Sequence, residues 1–218
     1  YYAINLEGQE GKKALEYLGK SLSSSIEPSG EVFYPDSFEK HFSFNDLIHK
    51  GALTGIRVEG PTNSVDQRIK RLSKELDLLE NEYSVLNVEQ SNIFWKKTKN
   101  LEVFSNTEKN LLRVVVPVSE TLNFLQKLKN VDLSYFLDWG GSLIWLELKD
   151  ISIKILNEIK DITKDHNGYF TIIKVEEDMK ASADIFTIDP IKYKISEKIK
   201  KSFDPKRIFN PGKMYTGI

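Results

Sequence analysis

The sequence contains no cysteine. Disulfide staples and cysteine-ligated iron–sulfur clusters are therefore excluded within this chain, and the composition suits a reducing cytoplasm. Charge of one sign is also lacking: 31 Lys and Arg stand against 32 Asp and Glu, for a formal net charge of −1. With both signs interspersed, a nucleic-acid groove is not expected. The lysine patches Lys96-Lys97 and Lys198 to Lys201 read as solvated helix faces. No apolar run approaches the roughly 20 residues of a membrane span, and no basic segment leading into an apolar core marks a signal peptide. No G-x-G-x-x-G follows an apparent strand. Gly8 and Gly11 open a helix and read as a turn. His41, His49 and His166 show no metal-ligand spacing.

What remains is a chain of 218 residues, 40% hydrophobic, long enough for one or two small domains with a real core. Tyr1 to Leu6 reads as a strand and Glu10 to Lys20 as a helix, with Ala14, Leu15 and Leu18 at helical spacing. Glu31 to Tyr34 is a second strand, followed by an aromatic insertion over Pro35 to Lys50 with Phe38, Phe42 and Phe44. Leu53 to Glu59 alternates as a half-buried strand, Gly60-Pro61 launches a helix striped by Val65, Ile69, Leu72, Leu76 and Leu79, and Tyr83 to Val88 is a further strand. From Asn110 the same order returns. Leu111 to Val118 is a strand, Glu120 to Lys129 a helix, and Leu133 to Trp139 and Ser142 to Leu148 are strands joined at Gly140-Gly141. Ile153 to Lys164 is a helix ended by Asn167-Gly168, and Tyr169 to Val175 is the last strand.

The expected fold class is α+β: two tandem ferredoxin-like βαββαβ units with antiparallel sheet and helices on one face. The expected division is 1–90 and 110–178 for the two halves, 91–109 for a helical bridge, and 179–218 for a C-terminal helix and tail. Ser142 to Leu148 carries apolar residues on both faces, so the sheet face away from the helices needs a cover. If nothing in the chain supplies it, the chain should self-associate.

The tail is the densest signal. In KSFDPKRIFNPGKMYTGI, Asp204-Pro205 stops a helix and Asn210-Pro211-Gly212 turns the backbone. Phe203, Ile208, Phe209 and Met214 suggest a segment docked by apolar anchors.

A chain ending in FDPxxIFNPGKMY resembles the C-terminal region of the FAD-linked oxidases of the vanillyl-alcohol oxidase superfamily. With Asp138-Trp139-Gly140-Gly141, Arg57 to Gly60 and Phe94-Trp95, it is most similar within that group to the E-subunit type of bacterial glycolate oxidase. The resemblance covers nearly all of this chain but only about the C-terminal half of such proteins, whose glycine-rich FAD-binding domain has no counterpart here. It implies a cap sheet lying over the flavin, a small 2-hydroxy acid as substrate, D-type and F-type partner subunits, and a cytoplasmic site or the inner membrane face reached through those partners. The isolated chain is expected to be inactive. Paired histidines of the D type have no counterpart, and no proton-accepting base is apparent.

Under that resemblance Arg113, which interrupts an apolar strand, would clamp the substrate carboxylate with two parallel hydrogen bonds. Read from the residues alone, Arg113 is an arginine lying over apolar surface or paired with a cross-strand acid. Arg57 has the same two readings, with Glu59 as a ready partner. Asp138 satisfies turn donors or serves the substrate, and Trp139 reads as packing. Asn210 and Lys213 would approach FAD, although Asn210 also suits a plain turn cap. The other function class is a non-catalytic assembly or ligand-binding module.

Overall fold

The computed structural model describes residues 2–7, 11–41, 51–80, 82–104, 110–176, 179, 185–186 and 189–212. The strands are β1 (Tyr2–Glu7), β2 (Gly30–Tyr34), β3 (Leu53–Val58), β4 (Tyr83–Val85), β5 (Asn110–Val115), β6 (Leu133–Asp138), β7 (Leu143–Leu148) and β8 (Tyr169–Lys174). The α-helices are α1 (Gly11–Ser23), α2 (Thr62–Glu75), α3 (Val88–Lys99), α4 (Thr121–Lys127), α5 (Ile153–Asp165) and α6 (Pro190–Phe203). The α+β class is as expected. All eight strands join one antiparallel sheet in the order β4-β1-β3-β2-β6-β7-β5-β8. Counted within its own half, each set of four strands runs 4-1-3-2. The halves meet edge to edge through two register pairs, Val32 with Asp138 and Phe33 with Leu137.

Local chemistry accounts for the element ends. Asn87 and Gln90 form a reciprocal capping box that starts α3, Ser152 caps α5 by accepting from the Ile155 N–H, and Asp189 caps α6. Helix α2 ends at Glu75 because Asp77 takes a positive φ of 55°. Leu79 thus leaves the expected stripe and lies exposed. The apolar face of each helix is buried as its spacing requires: Leu18 on α1, Val65 and Leu72 on α2, Phe124 on α4 and Ile159 on α5 all pack with Ile56, Val114 and Ile144 of the sheet.

Period-2 alternation puts the intervening strand residues on the opposite face. There Val32, Tyr34, Leu53 and Phe136 pack with Phe38, Leu86, Phe94, Val103 and Phe104. The expectation of helices on one face is therefore corrected. Four helices share a face, whereas α3 crosses to the other, where it supplies part of the cover that the apolar strands demand. Gly55 permits the close approach, since a Cβ there would lie 2.9 Å from the Phe94 ring. Phe42 and Phe44 of the insertion lie outside the described residues.

The expected docking of the tail is also corrected. Ile191, Ile195, Ile199 and Phe203 lie on one stripe of α6, yet none of the α6 side chains is buried, and Ile208 and Phe209 are exposed too, while Met214 lies outside the described residues. The reason is that the tail's fixed shape comes from itself. Asp204 accepts from the Ile208 and Phe209 N–H groups, each at 2.9 Å, and pairs with Lys200 at 2.8 Å. Lys200 beside it holds the Asp204 carboxyl down to about 2. A depressed value adds stability above the ordinary carboxylate range that is lost as pH falls through about 2. Asp204→Asn is expected to speed hydrogen exchange at the Ile208 and Phe209 amides while the sheet amides stay protected; unchanged exchange at both would show that the carboxylate does not close the turn.

Candidate functional site

A cleft of about 560 Å³ opens on the second face of the sheet, in the strip that α3 leaves bare. Trp95 and Thr98 of α3 and Leu101 in the turn after it form one wall and Trp139 the other, over a floor of Gly30, Arg57, Arg113, Asp138, Leu143 and Trp145. Gly30 makes room for the wall, because a Cβ there would meet the Trp95 ring at 3.1 Å.

The β6–β7 connection shapes the opposite rim. It joins the two strands as the sequence predicts, in register from Asp138 with Leu143 to Leu133 with Leu148. Three consecutive residues, Trp139, Gly140 and Gly141, have φ of 52°, 64° and 96°. For tryptophan this left-handed conformation is strained, and it persists only where the surroundings dictate it. The Trp139 N–H donates to Asp138 Oδ1 at 2.8 Å, Ser142 Oγ donates to the Trp139 carbonyl at 3.0 Å, and Thr121 Oγ1 donates to the Gly141 carbonyl at 2.7 Å. A Cβ on Gly140 would lie 2.3 Å from Leu22 Cδ1 and 3.0 Å from Glu31 Oε2.

Arg113 is half-buried on β5, opposite Trp145 on β7, and its guanidinium lies 4.8 Å from the centroid of the Trp139 ring. Among the described residues it makes no ion pair, so the cross-strand acid pairing does not occur. Arg57 pairs with Glu59 at 3.0 Å, as its spacing suggested, and stacks 5.8 Å from the Trp95 ring. Both arginines line the cleft, but β3 and β5 are four strand spacings apart, about 19 Å at roughly 4.8 Å each. Arg57 is engaged by Glu59 and Trp95, and Arg113, among the described residues, by the Trp139 ring.

Asp138 shares the face of Arg113 and Trp145. Burial pushes its carboxyl above the ordinary value, opposed by the Trp139 N–H, the nearby Trp145 indole and the charge of Arg113. The Trp145 indole favours the ionised form from nearby although its N–H makes no hydrogen bond of normal geometry. Asp138 therefore caps the turn, the first role considered for it, and also lines the cleft.

Glu31 is the residue that sequence reasoning missed. An acid at the start of a strand looks like an exposed edge, yet Glu31 is 3% exposed, packed at the seam beneath Gly140, with neither carboxylate oxygen hydrogen-bonded. Burial pushes its carboxyl from 4.5 up to about 7, with the adjacent Ser21 hydroxyl acting in the opposite sense without reaching hydrogen-bond geometry. Because the folded value is raised, the folded state holds a proton that the unfolded chain has lost. Stability is full below pH 4.5 and falls as pH rises through about 7. Glu31→Gln is expected to flatten this dependence and to be more stable than the parent at pH 8 by about 1–2 kcal/mol, less than the full shift because the groove admits water. Urea melts at pH 5 and pH 8 check it, and parallel losses in the two proteins would count against a buried, protonated Glu31.

The remaining candidates do not converge here. Asn210 is exposed in the tail with φ 47° and does not line the cleft, and Lys213 lies outside the described residues. His166 Nδ1 is 2.8 Å from the Ile162 carbonyl, and the His41 side chain and His49 lie outside the described residues. Among the described residues no group of acids and histidines could hold a metal ion, and no helix is long and apolar enough to cross a membrane.

No family model and no curated protein matches the sequence. Among solved structures the chain is similar to p-cresol methylhydroxylase with substrate bound, with a TM-score of 0.68 and 13% identity over 99% of this chain and 53% of that one. Alkyldihydroxyacetonephosphate synthase is also similar, with a TM-score of 0.47 and 13% identity over 94% of this chain and 43% of that one. The chain thus spans about half the length of these proteins. At this identity, what the chain shares with p-cresol methylhydroxylase is its α+β fold.

Proposed function

We propose that the chain is the cap and substrate region of an FAD-linked 2-hydroxy-acid oxidoreductase of the glycolate oxidase E-subunit type, built from two tandem ferredoxin-like halves. The observation that carries this reading is Arg113: a guanidinium in no ion pair among the described residues, near enough to Asp138 to act on its charge, set against the Trp139 ring at 4.8 Å on the floor of an open cleft. A planar fork in that position suits a substrate carboxylate.

FAD is the implied cofactor, and the residues fit its ring side only. The mouth of the cleft is open and rimmed by the exposed Trp139 ring, an aromatic face against which an isoalloxazine could lie. A phosphate cradle is another matter: the strand-to-helix turn at Gly60 continues into Pro61, which has no N–H, and Arg68 beside it is engaged by the Glu59, Glu27 and Ile26 carbonyls. The pyrophosphate is assigned to a domain outside this chain, and Asn210 and Lys213 to tail contacts with the cofactor.

Bound FAD would supply the acceptor for the hydride of the substrate α-carbon. Of this chain's residues, Arg113 would hold and orient the carboxylate, Trp139 would keep water from the guanidinium, and Asp138 would take the hydroxyl proton onto a carboxylate oxygen. D-type and F-type subunits are the proposed partners, in the cytoplasm or, through them, at the inner face of the membrane. The test is anaerobic titration of the FAD-loaded protein, assembled with those subunits, with glycolate and D-lactate. Bleaching of the oxidised flavin band is expected; if no 2-hydroxy acid bleaches it, the reading fails.

A second reading has its own observation. The stripe Ile191, Ile195, Ile199 and Phe203, continued by Ile208 and Phe209, is exposed apolar surface of the kind an assembly module presents.

A further inference from the structure

All three tryptophans of the chain line this one cleft, although Trp95 comes from α3, Trp139 from the β6–β7 connection and Trp145 from β7. The Trp95 indole N–H is buried without a hydrogen bond, and the buried Trp145 N–H lies near the Asp138 carboxyl without reaching hydrogen-bond geometry. Burying a donor without an acceptor is costly, so two in one groove point to a ligand that brings acceptors. Trp139 adds a third ring, 59% exposed, held at the mouth by a backbone conformation that tryptophan rarely adopts.

Size and charge narrow the ligand. The cleft, about 560 Å³, is within the range of roughly 300–1,000 Å³ that encloses a drug-sized molecule. A two-carbon acid would leave most of it to water against indole and Leu22, Leu101 and Leu143. Those leucines also disfavour a sugar, whose hydroxyls need partners all round. The Asp138 carboxyl in the lining disfavours a second negative charge.

We propose that the cleft binds an aromatic monoanion, the aryl-bearing class of 2-hydroxy acid. Its carboxylate lies on Arg113, its ring stands among the three indoles, and its remaining acceptors take the indole N–H groups. This rests on the 2-hydroxy-acid reading above and specifies the side group of that substrate.

The test uses the 218-residue chain and its own tryptophan emission, titrated with mandelate and with glycolate, two 2-hydroxy monoanions that differ by a phenyl group. Mandelate is expected to quench the emission and to bind at least about tenfold more tightly than glycolate, from burial of the ring. Trp145→Phe keeps an aromatic face and removes the N–H, so mandelate affinity should fall about threefold to tenfold with an unchanged circular dichroism spectrum. Should that variant not fold, Trp95→Phe on the cleft wall takes its place. Equal affinity for the two acids, or tighter glycolate, overturns the aryl assignment and leaves the Arg113 clamp standing. No binding of either acid overturns both, because every contact invoked belongs to this chain. Full affinity in both tryptophan variants likewise removes the indole donors from the site.

Discussion

Arg113→Lys in the FAD-loaded protein, assembled with its partner subunits, is expected to lower kcat/KM for the 2-hydroxy acid by about tenfold or more while the flavin stays bound. The variant keeps the positive charge and loses the planar fork, so a bidentate, charge-assisted contact becomes a point contact. Such a contact is worth about 1.5–3 kcal/mol. Stability should hardly move, because Arg113 forms no ion pair among the described residues and a lysine stem still covers the strand. A scaffold role makes the reverse forecast. An arginine held only by the Trp139 ring would contribute about 0.5–1 kcal/mol at an exposed site, so its loss would lower the melting temperature slightly and leave the kinetics alone. Steady-state oxidation of glycolate or D-lactate, run beside a thermal melt, separates the two. Unchanged kinetics would assign the substrate carboxylate to a group outside this chain.

Phe136→Ala should produce the largest loss of stability, about 3–5 kcal/mol by urea unfolding at neutral pH. Phe136 is 0% exposed and lies on β6 at the seam between the halves. Its ring is 4.8 Å from that of Tyr34, 5.4 Å from Phe104 and 6.4 Å from Trp145, with the last stacked at 26°. Truncation would open a cavity where only two register pairs join the halves, and the surrounding rings are too rigid to close it. The same ring supports Trp145 from below, so ligand binding in the cleft should weaken along with stability. A cost below about 1 kcal/mol would mean that the second face is not the packed core described here.

Element order was legible in the sequence because it depends on neighbours a few residues apart. The stripe Val65, Ile69, Leu72 sets α2, Ser152 and Asn87 set helix starts, and Gly140-Gly141 sets the turn between β6 and β7. Arg113 and Arg57 stood out for a similar reason, as charges in strands otherwise fit for a core. Glu59 was legible as the partner of Arg57 because residues two apart on a strand share a face.

What the sequence could not specify is everything set by which strand lies beside which. The pairing of β2 with β6 brings Glu31 beneath Gly140, residues more than a hundred positions apart, and turns an apparent edge acid into a buried one. It also sets the distance between Arg57 and Arg113, which periodicity alone left open. The crossing of α3 to the second face brings Trp95 to the same cleft as Trp139 and Trp145, since a helix fixes its apolar stripe but not the face of the sheet it meets. The tail shows the converse. Its turns were readable because Asp204, Lys200 and the Ile208 and Phe209 amides are local to one another. Its apolar residues implied burial, yet burial needs a surface at the right place, and only the tertiary structure could show that the described residues present none to Phe203, Ile208 and Phe209.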